Sequence, residues 1–69
     1  MGTILIRHND SDESMERVAQ KIFGDGVNLF TKDGSHGERV LCVAGNNVSP
    51  DHTYDLERLD WVISAEYVK

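Results

Sequence analysis

Apolar positions along the chain fall into short runs and two helical stripes, separated by polar turns. Thr3 to His8 holds the run Ile4-Leu5-Ile6. This predicts a strand covered on at least one face. Asn9 to Asp12 interrupt it. From Ser11 to Phe23, Met15, Val18, Ala19, Ile22 and Phe23 recur at i, i+3, i+4, i+7 and i+8, one continuous helical stripe. Asp10 or Ser11 can accept from the free N–H groups of the first turn, and Asp10 with Glu13 has capping-box spacing. Asp12, Glu13 and Glu16 complement the positive end of the helix dipole and Lys21 the negative end. Gly24 and Gly26 follow as residues that tolerate positive φ.

Val27 to Thr31 alternates and predicts a half-buried strand. Lys32 to Gly37 predicts a turn, and Glu38 to Ala44 the second arm of a hairpin. Ser49-Pro50-Asp51 has the form of a helix start, with serine as cap and proline in the first turn. The stripe that follows, Tyr54, Leu56 and Leu59, is imperfect and predicts a short helix ending near Leu59. Val62 to Val68 predicts the last strand. The order β-α-β-β-α-β is the split βαβ arrangement of ferredoxin-like α+β domains. It implies a four-stranded antiparallel sheet with two helices on one face, formed by residues 1–69 as a single domain. The opposite face is left bare unless a partner covers it. Leu5, Phe30, Cys42 and either Val40 or Leu41 are its candidate residues.

Composition narrows the functional classes. The chain has 69 residues, with 12 acidic side chains against 7 basic ones and a net charge of −5. That balance argues against direct nucleic-acid binding, which needs a basic footprint. No apolar run approaches the ~20 residues of a spanning helix, and the first residues lack the basic head of a signal peptide. A cytoplasmic protein with no membrane contact is expected. Cys42 is the single cysteine, so no internal disulfide and no paired-cysteine zinc site can form.

The chemical candidates each have a plainer account. His8, Asp10, Asp12 and Glu13 resemble a metal or acid–base cluster, but capping and dipole complementation explain the acids, and the spacing fails as a calcium loop. His36 and His52 read as solvated loop histidines. Cys42 lies among apolar residues and reads as packing. The turn Gly34-Ser35-His36-Gly37 has phosphate-loop glycines but no helix directly after it. Trp61 reads as a packing residue between the second helix and the sheet, with an exposed interface anchor as the alternative. No nucleophile–base pair or convergent acid pair is visible, so no enzyme, metal or cofactor is expected.

Several segments together suggest a family. They are the N-terminal strand, the Asp-rich cap before Met15-Glu16-Arg17-Val18-Ala19, the strand Arg39-Val40-Leu41-Cys42-Val43-Ala44 ending in Gly45-Asn46, and the run Leu56-Glu57-Arg58-Leu59-Asp60-Trp61-Val62. This pattern resembles the N-terminal ferredoxin-like regulatory domain of one subclass of 3-deoxy-D-arabino-heptulosonate 7-phosphate (DAHP) synthases, over nearly the whole chain. The resemblance implies a non-catalytic module that lacks the synthase barrel and works by domain pairing. It would bind tyrosine or phenylalanine where two such domains meet. The implied ligand residues are Phe30, Lys32 and Ser35 on the second strand and its hairpin. Members that bind tyrosine carry His and Ser where this chain has Phe30 and Lys32, so phenylalanine is expected to bind no worse than tyrosine. A homodimer is the expected assembly. The alternative is a free-standing acidic interaction protein, an inhibitor or adaptor that meets a basic partner surface.

Overall fold

The computed structural model describes residues 2–68. Its elements follow the predicted order: β1 (Gly2–His8), α1 (Asp12–Phe23), β2 (Asn28–Asp33), β3 (Arg39–Gly45), α2 (His52–Glu57) and β4 (Val62–Val68). The strands form one antiparallel sheet in the order β2-β3-β1-β4. Each helix crosses over from one strand to a strand two places away. This is the ferredoxin-like α+β fold.

Register assigns the two faces. Ile4 pairs with Val43 and with Tyr67; Ile6 pairs with Leu41 and with Ala65. Leu29 and Thr31 extend the same rows onto β2. This face meets both helices. Ile4, Ile6, Leu41 and Val43 form one cluster with Met15, Ala19 and Phe23 of α1, Val48 of the segment after β3, and Leu56 of α2. The helical stripe is narrower than its apolar residues suggest. Met15, Ala19 and Phe23 are buried, while Val18, Ile22 and Leu59 are half-buried at the flanks. A helix on a twisted four-stranded sheet presses one row of side chains inward and leaves the adjacent row at the boundary.

α1 is capped by Ser11, whose Oγ accepts from the Ser14 N–H at 3.2 Å. It stops at Gly24, which adopts φ +80° and donates its N–H to the Gln20 carbonyl. Only glycine enters that region without a Cβ penalty. α2 departs from the expectation in two respects. It ends at Glu57, before Leu59, and Ser49 does not cap it through its side chain. Instead the His52 ring nitrogen Nδ1 accepts from the Ser49 N–H at 3.1 Å, and the first bonds run from residues 52–54 back to 49–51. This i→i+3 pattern is the tight helical form, consistent with the poor helix formers Thr53 and Tyr54. Trp61 is half-buried, and its indole N–H donates to the Met15 sulfur at 3.3 Å. It therefore ties the start of β4 to α1, a packing role as expected, but toward the first helix where the second was expected.

Burial ranks the core positions. Truncating Ile6 or Leu41, both fully buried, to alanine is expected to cost about 2–5 kcal/mol in urea unfolding. Ile22→Ala, at a half-buried flank, is expected to cost clearly less. Equal losses at Ile22 and Ile6 would contradict the assigned faces.

Candidate functional site

The face away from the helices carries three registered rows. From β2 to β4 they are Asn28, Ala44, Thr3 and Val68; Phe30, Cys42, Leu5 and Glu66; and Lys32, Val40, Arg7 and Ser64. Leu41, one of two possibilities for this face, lies on the helix side, and Val40 takes the outer position. The centre is apolar. Val40 and Cys42 are nearly inaccessible because they sit on an inner strand between large neighbours. Phe30 is 54% exposed and Val68 41%. Among the described residues neither helix lies on this face, and only the hairpin loop reaches over one end of it.

A groove of about 470 Å3 lies at one end of it, lined by Arg7, Ser35, His36, Glu38, Ile63 and Ser64. Three local features build it. Arg7 alternates with Ile6 and His8, so its side chain leaves the core and stands on the outer face. Between Arg7 and His8 the β1–β4 register slips: Arg7 pairs with Ser64 but His8 with Val62, and Ile63 is left over. Such a bulge re-aims the extra side chain, and Ile63 is 54% exposed. Third, the hairpin loop folds around Glu38. The Gly34 N–H donates to the Glu38 carbonyl at 2.7 Å, and the His36 N–H to its carboxylate at 3.1 Å. A Cβ on Gly34 would lie 1.9 Å from that carboxylate, so a side chain there would displace Glu38 from the loop.

The charges in the groove are close but loosely joined. The Arg7 Nε stands 3.7 Å from the Glu38 carboxylate; the Arg7 side chain is 45% exposed and that of Glu38 only 9%. The guanidinium thus has donors facing solvent, beside a carboxylate already held by the loop. Ser35 and Ser64 add hydroxyls, and Ile63 an apolar wall.

The residues predicted as ligand contacts divide into two sets. Phe30 and Lys32 share the outer face of the edge strand β2, and both are exposed. Ser35 lines the groove, which does not include the other two. The groove residues Arg7, Glu38, Ile63 and Ser64 were not among those predicted. Alternation along β1 would have placed Arg7 beside Leu5, but nothing local marks the bulge at Ile63.

The acidic cluster near α1 resolves into structural pairs. Asp10 accepts from the Ser11 N–H, Glu13 pairs with Arg17, and Asp12 with Arg39, whose Nε lies 2.9 Å from Asp12 Oδ1. Arg39 also reaches Asp33. Among the described residues no three His, Cys, Asp or Glu side chains are grouped to hold a metal ion. No helix among them is long and apolar enough to cross a membrane. No protein-family model, curated protein or solved structure matches the chain.

The Arg39 hydrogen bonds hold the Asp12 carboxyl below its usual value of 3.8. A lowered folded-state value means that this pair stabilises fully above pH 3.8, and that its contribution disappears as pH falls through the folded value. Urea unfolding between pH 5 and 2 is expected to show an acid loss that Asp12→Asn diminishes. An unchanged acid limb in that variant would show that the pair contributes nothing.

Proposed function

We propose that this chain is a non-catalytic regulatory domain of the DAHP synthase type, which binds an aromatic amino acid and acts by pairing with a second such domain. The observation that carries this reading is the bare sheet face, apolar at its centre and ringed by Phe30, Lys32, Arg7 and Glu66. Two helices cannot cover both sides of four strands, so a second surface is needed to remove this patch from water.

Charge favours one arrangement of that pair. A two-fold axis parallel to the strands, between β3 and β1, sets the β2 edge of one copy over the β4 edge of the other. Lys32 then faces the region of Ser64 and Glu66 on the second copy, and Leu5 faces Cys42. An axis perpendicular to the strands instead sets each strand over itself and opposes Glu66 to Glu66. Like-charge opposition of this kind disfavours pairing. The parallel axis also joins the two divided sets of ligand residues. Phe30 and Lys32 of one copy come over the groove formed by Arg7, Ser35, Glu38, Ile63 and Ser64 of the other.

A zwitterionic amino acid suits that enclosure. Its carboxylate meets Arg7 and its ammonium Glu38, while Phe30 offers a ring to stack on. Such stacking is worth roughly 0.5–1.5 kcal/mol beyond area burial. The groove shows no buried partner dedicated to a phenolic hydroxyl, so phenylalanine should bind no worse than tyrosine. Pairing without ligand should be weak. Four strands about 4.8 Å apart and some six residues long give a footprint of roughly 300 Å2, against about 800 Å2 per partner in a stable complex. A ligand shifts the equilibrium only by its greater affinity for the paired state.

One observation favours a second reading. Residues 9–26 and 46–61, which carry both helices, hold nine acidic side chains and three basic ones. The whole negative charge therefore lies on the helical side, where Tyr54 is 70% exposed. An adaptor or inhibitor meeting a basic protein surface would use that side.

Sedimentation and chemical-shift titration with phenylalanine and tyrosine separate the two. Ligand should shift groove and outer-face resonances and promote dimers. Lys32→Glu and Glu66→Lys should each weaken pairing, and their combination should restore it. Arg7→Gln should abolish the ligand effect while leaving the fold intact. A protein that stays monomeric at millimolar concentration and shows no shifts with either amino acid would leave the adaptor reading ahead.

A further inference from the structure

Among the described residues His8 is the only buried polar side chain, fully inaccessible, on the helix-facing side at the end of β1. Its Nδ1 accepts the Asp10 N–H at 3.2 Å. That bond makes the neutral ring the Nε2–H tautomer. Nε2 has no hydrogen-bond partner among the described residues. A buried donor without a partner costs free energy, so its retention calls for an explanation.

The surroundings provide one. Across the sheet His8 is registered with Arg39 on β3 and Val62 on β4. From the turn and α1 it faces Asp10 and Asp12. Asp12 is bound to Arg39, which is bound in turn to Asp33 on β2. β4 offers uncharged Val62 here, and the residue before it, Trp61, offers the carbonyl that accepts the Asn9 N–H at 3.0 Å. Two bonds thus anchor the turn between β1 and α1 to the sheet end, one from Asn9 to the backbone and one from Asp10 to an imidazole, while the Ser11 N–H is satisfied within the turn by Asp10. The second exists only while Nδ1 has a free lone pair.

We propose that His8 is an acid-sensitive latch on the β1–α1 turn. A solvent proton that adds to Nδ1 removes the acceptor for the Asp10 N–H, and the cationic ring then competes with Arg39 for the Asp12 carboxylate. Both changes loosen the first turn of α1. The sign follows from burial. Desolvation outweighs the attraction of Asp12 and Asp10 and lowers the folded-state pKa of His8 below 6.5. The unfolded chain therefore takes up this proton first as pH falls. The stabilisation is complete above about pH 6.5 and is lost as pH drops through the folded value.

The test is a residue-resolved NMR titration of the full chain between pH 8 and 4, paired with urea unfolding. At neutral pH the His8 ring nitrogens should report the Nε2–H tautomer. The His8 ring and the Asp10 amide should shift together, with one midpoint below 6.5. His8→Asn retains an acceptor close to the Nδ1 position but does not titrate. It should abolish the Asp10 shift in that window and the stability loss assigned to His8, leaving any contribution of His36 and His52. A His8 midpoint at or above 6.5, an Asp10 amide insensitive to it, or the same pH dependence in His8→Asn would overturn the proposal. If His8→Asn fails to fold, the tautomer and the paired midpoints in the unsubstituted protein still decide it.

Discussion

Two helices on one side of a four-stranded sheet leave the chain with one dry face and one wet one, and every strand must satisfy both. β1 does so by alternation: Ile4, Ile6 and His8 turn inward, Leu5 and Arg7 outward. β3, the other inner strand, does not alternate in burial: Val40 to Val43 are all buried, whichever way they point. The edge strand β2 is the opposite case, exposed or half-exposed throughout. Burial in this sheet is thus set by position in the strand order as much as by side-chain chemistry. The apolar character of the outer face is a consequence. On β3 the residues of both sides are apolar, and those of the outer side, Val40 and Cys42, are shaded by the strands that flank them.

The polar groups cluster at one end of the sheet, where β1 leaves it. On the helix side Asp12, Arg39 and Asp33 join three elements through charge-assisted bonds, beside the buried His8. On the outer side Arg7 and Glu38 bring the hairpin loop toward β1. Adjacent residues of one strand, Arg7 and His8, therefore serve opposite faces. The bulge that releases Ile63 falls at the same place. An irregular sheet end with exposed donors can accept a ligand more readily than the regular middle, where every backbone group is already paired.

The division of charge has a related logic. Acidic residues crowd the helical segments, where they cap, complement dipoles and keep the surface hydrated. The strands and hairpin carry near-balanced charge, so a second surface can approach the outer face without strong repulsion. Weak pairing over a small footprint is what a regulated contact requires, since a tight dimer would have nothing left for a ligand to shift.

Local pattern by itself determined the element order and the class of fold, and it narrowed the cap of the first helix to Asp10 or Ser11 and its stop to the glycines after Phe23. A 3.6-residue stripe, a serine beside free N–H groups and a glycine at positive φ act within a few residues of one another and need no knowledge of the rest. The imperfect stripe after Pro50 also foretold a short second helix, though not its tight first turn or its stop at Glu57. The phase of β3 was illegible, because Val40 to Ala44 are apolar without a break, and only its pairing with β1 placed Leu41 inward and Val40 outward. Phe30, Lys32 and Ser35 were named from resemblance, and they lie in two places because the loop folds over β1 rather than along β2. Arg7 and Glu38 are 31 residues apart, and the slip that frees Ile63 depends on how β4 meets β1. His8 looked like part of a polar cap; its burial follows from an inward position opposite Arg39 beneath α1. Long-range register decided these points, since burial and charge pairing depend on which strands become neighbours.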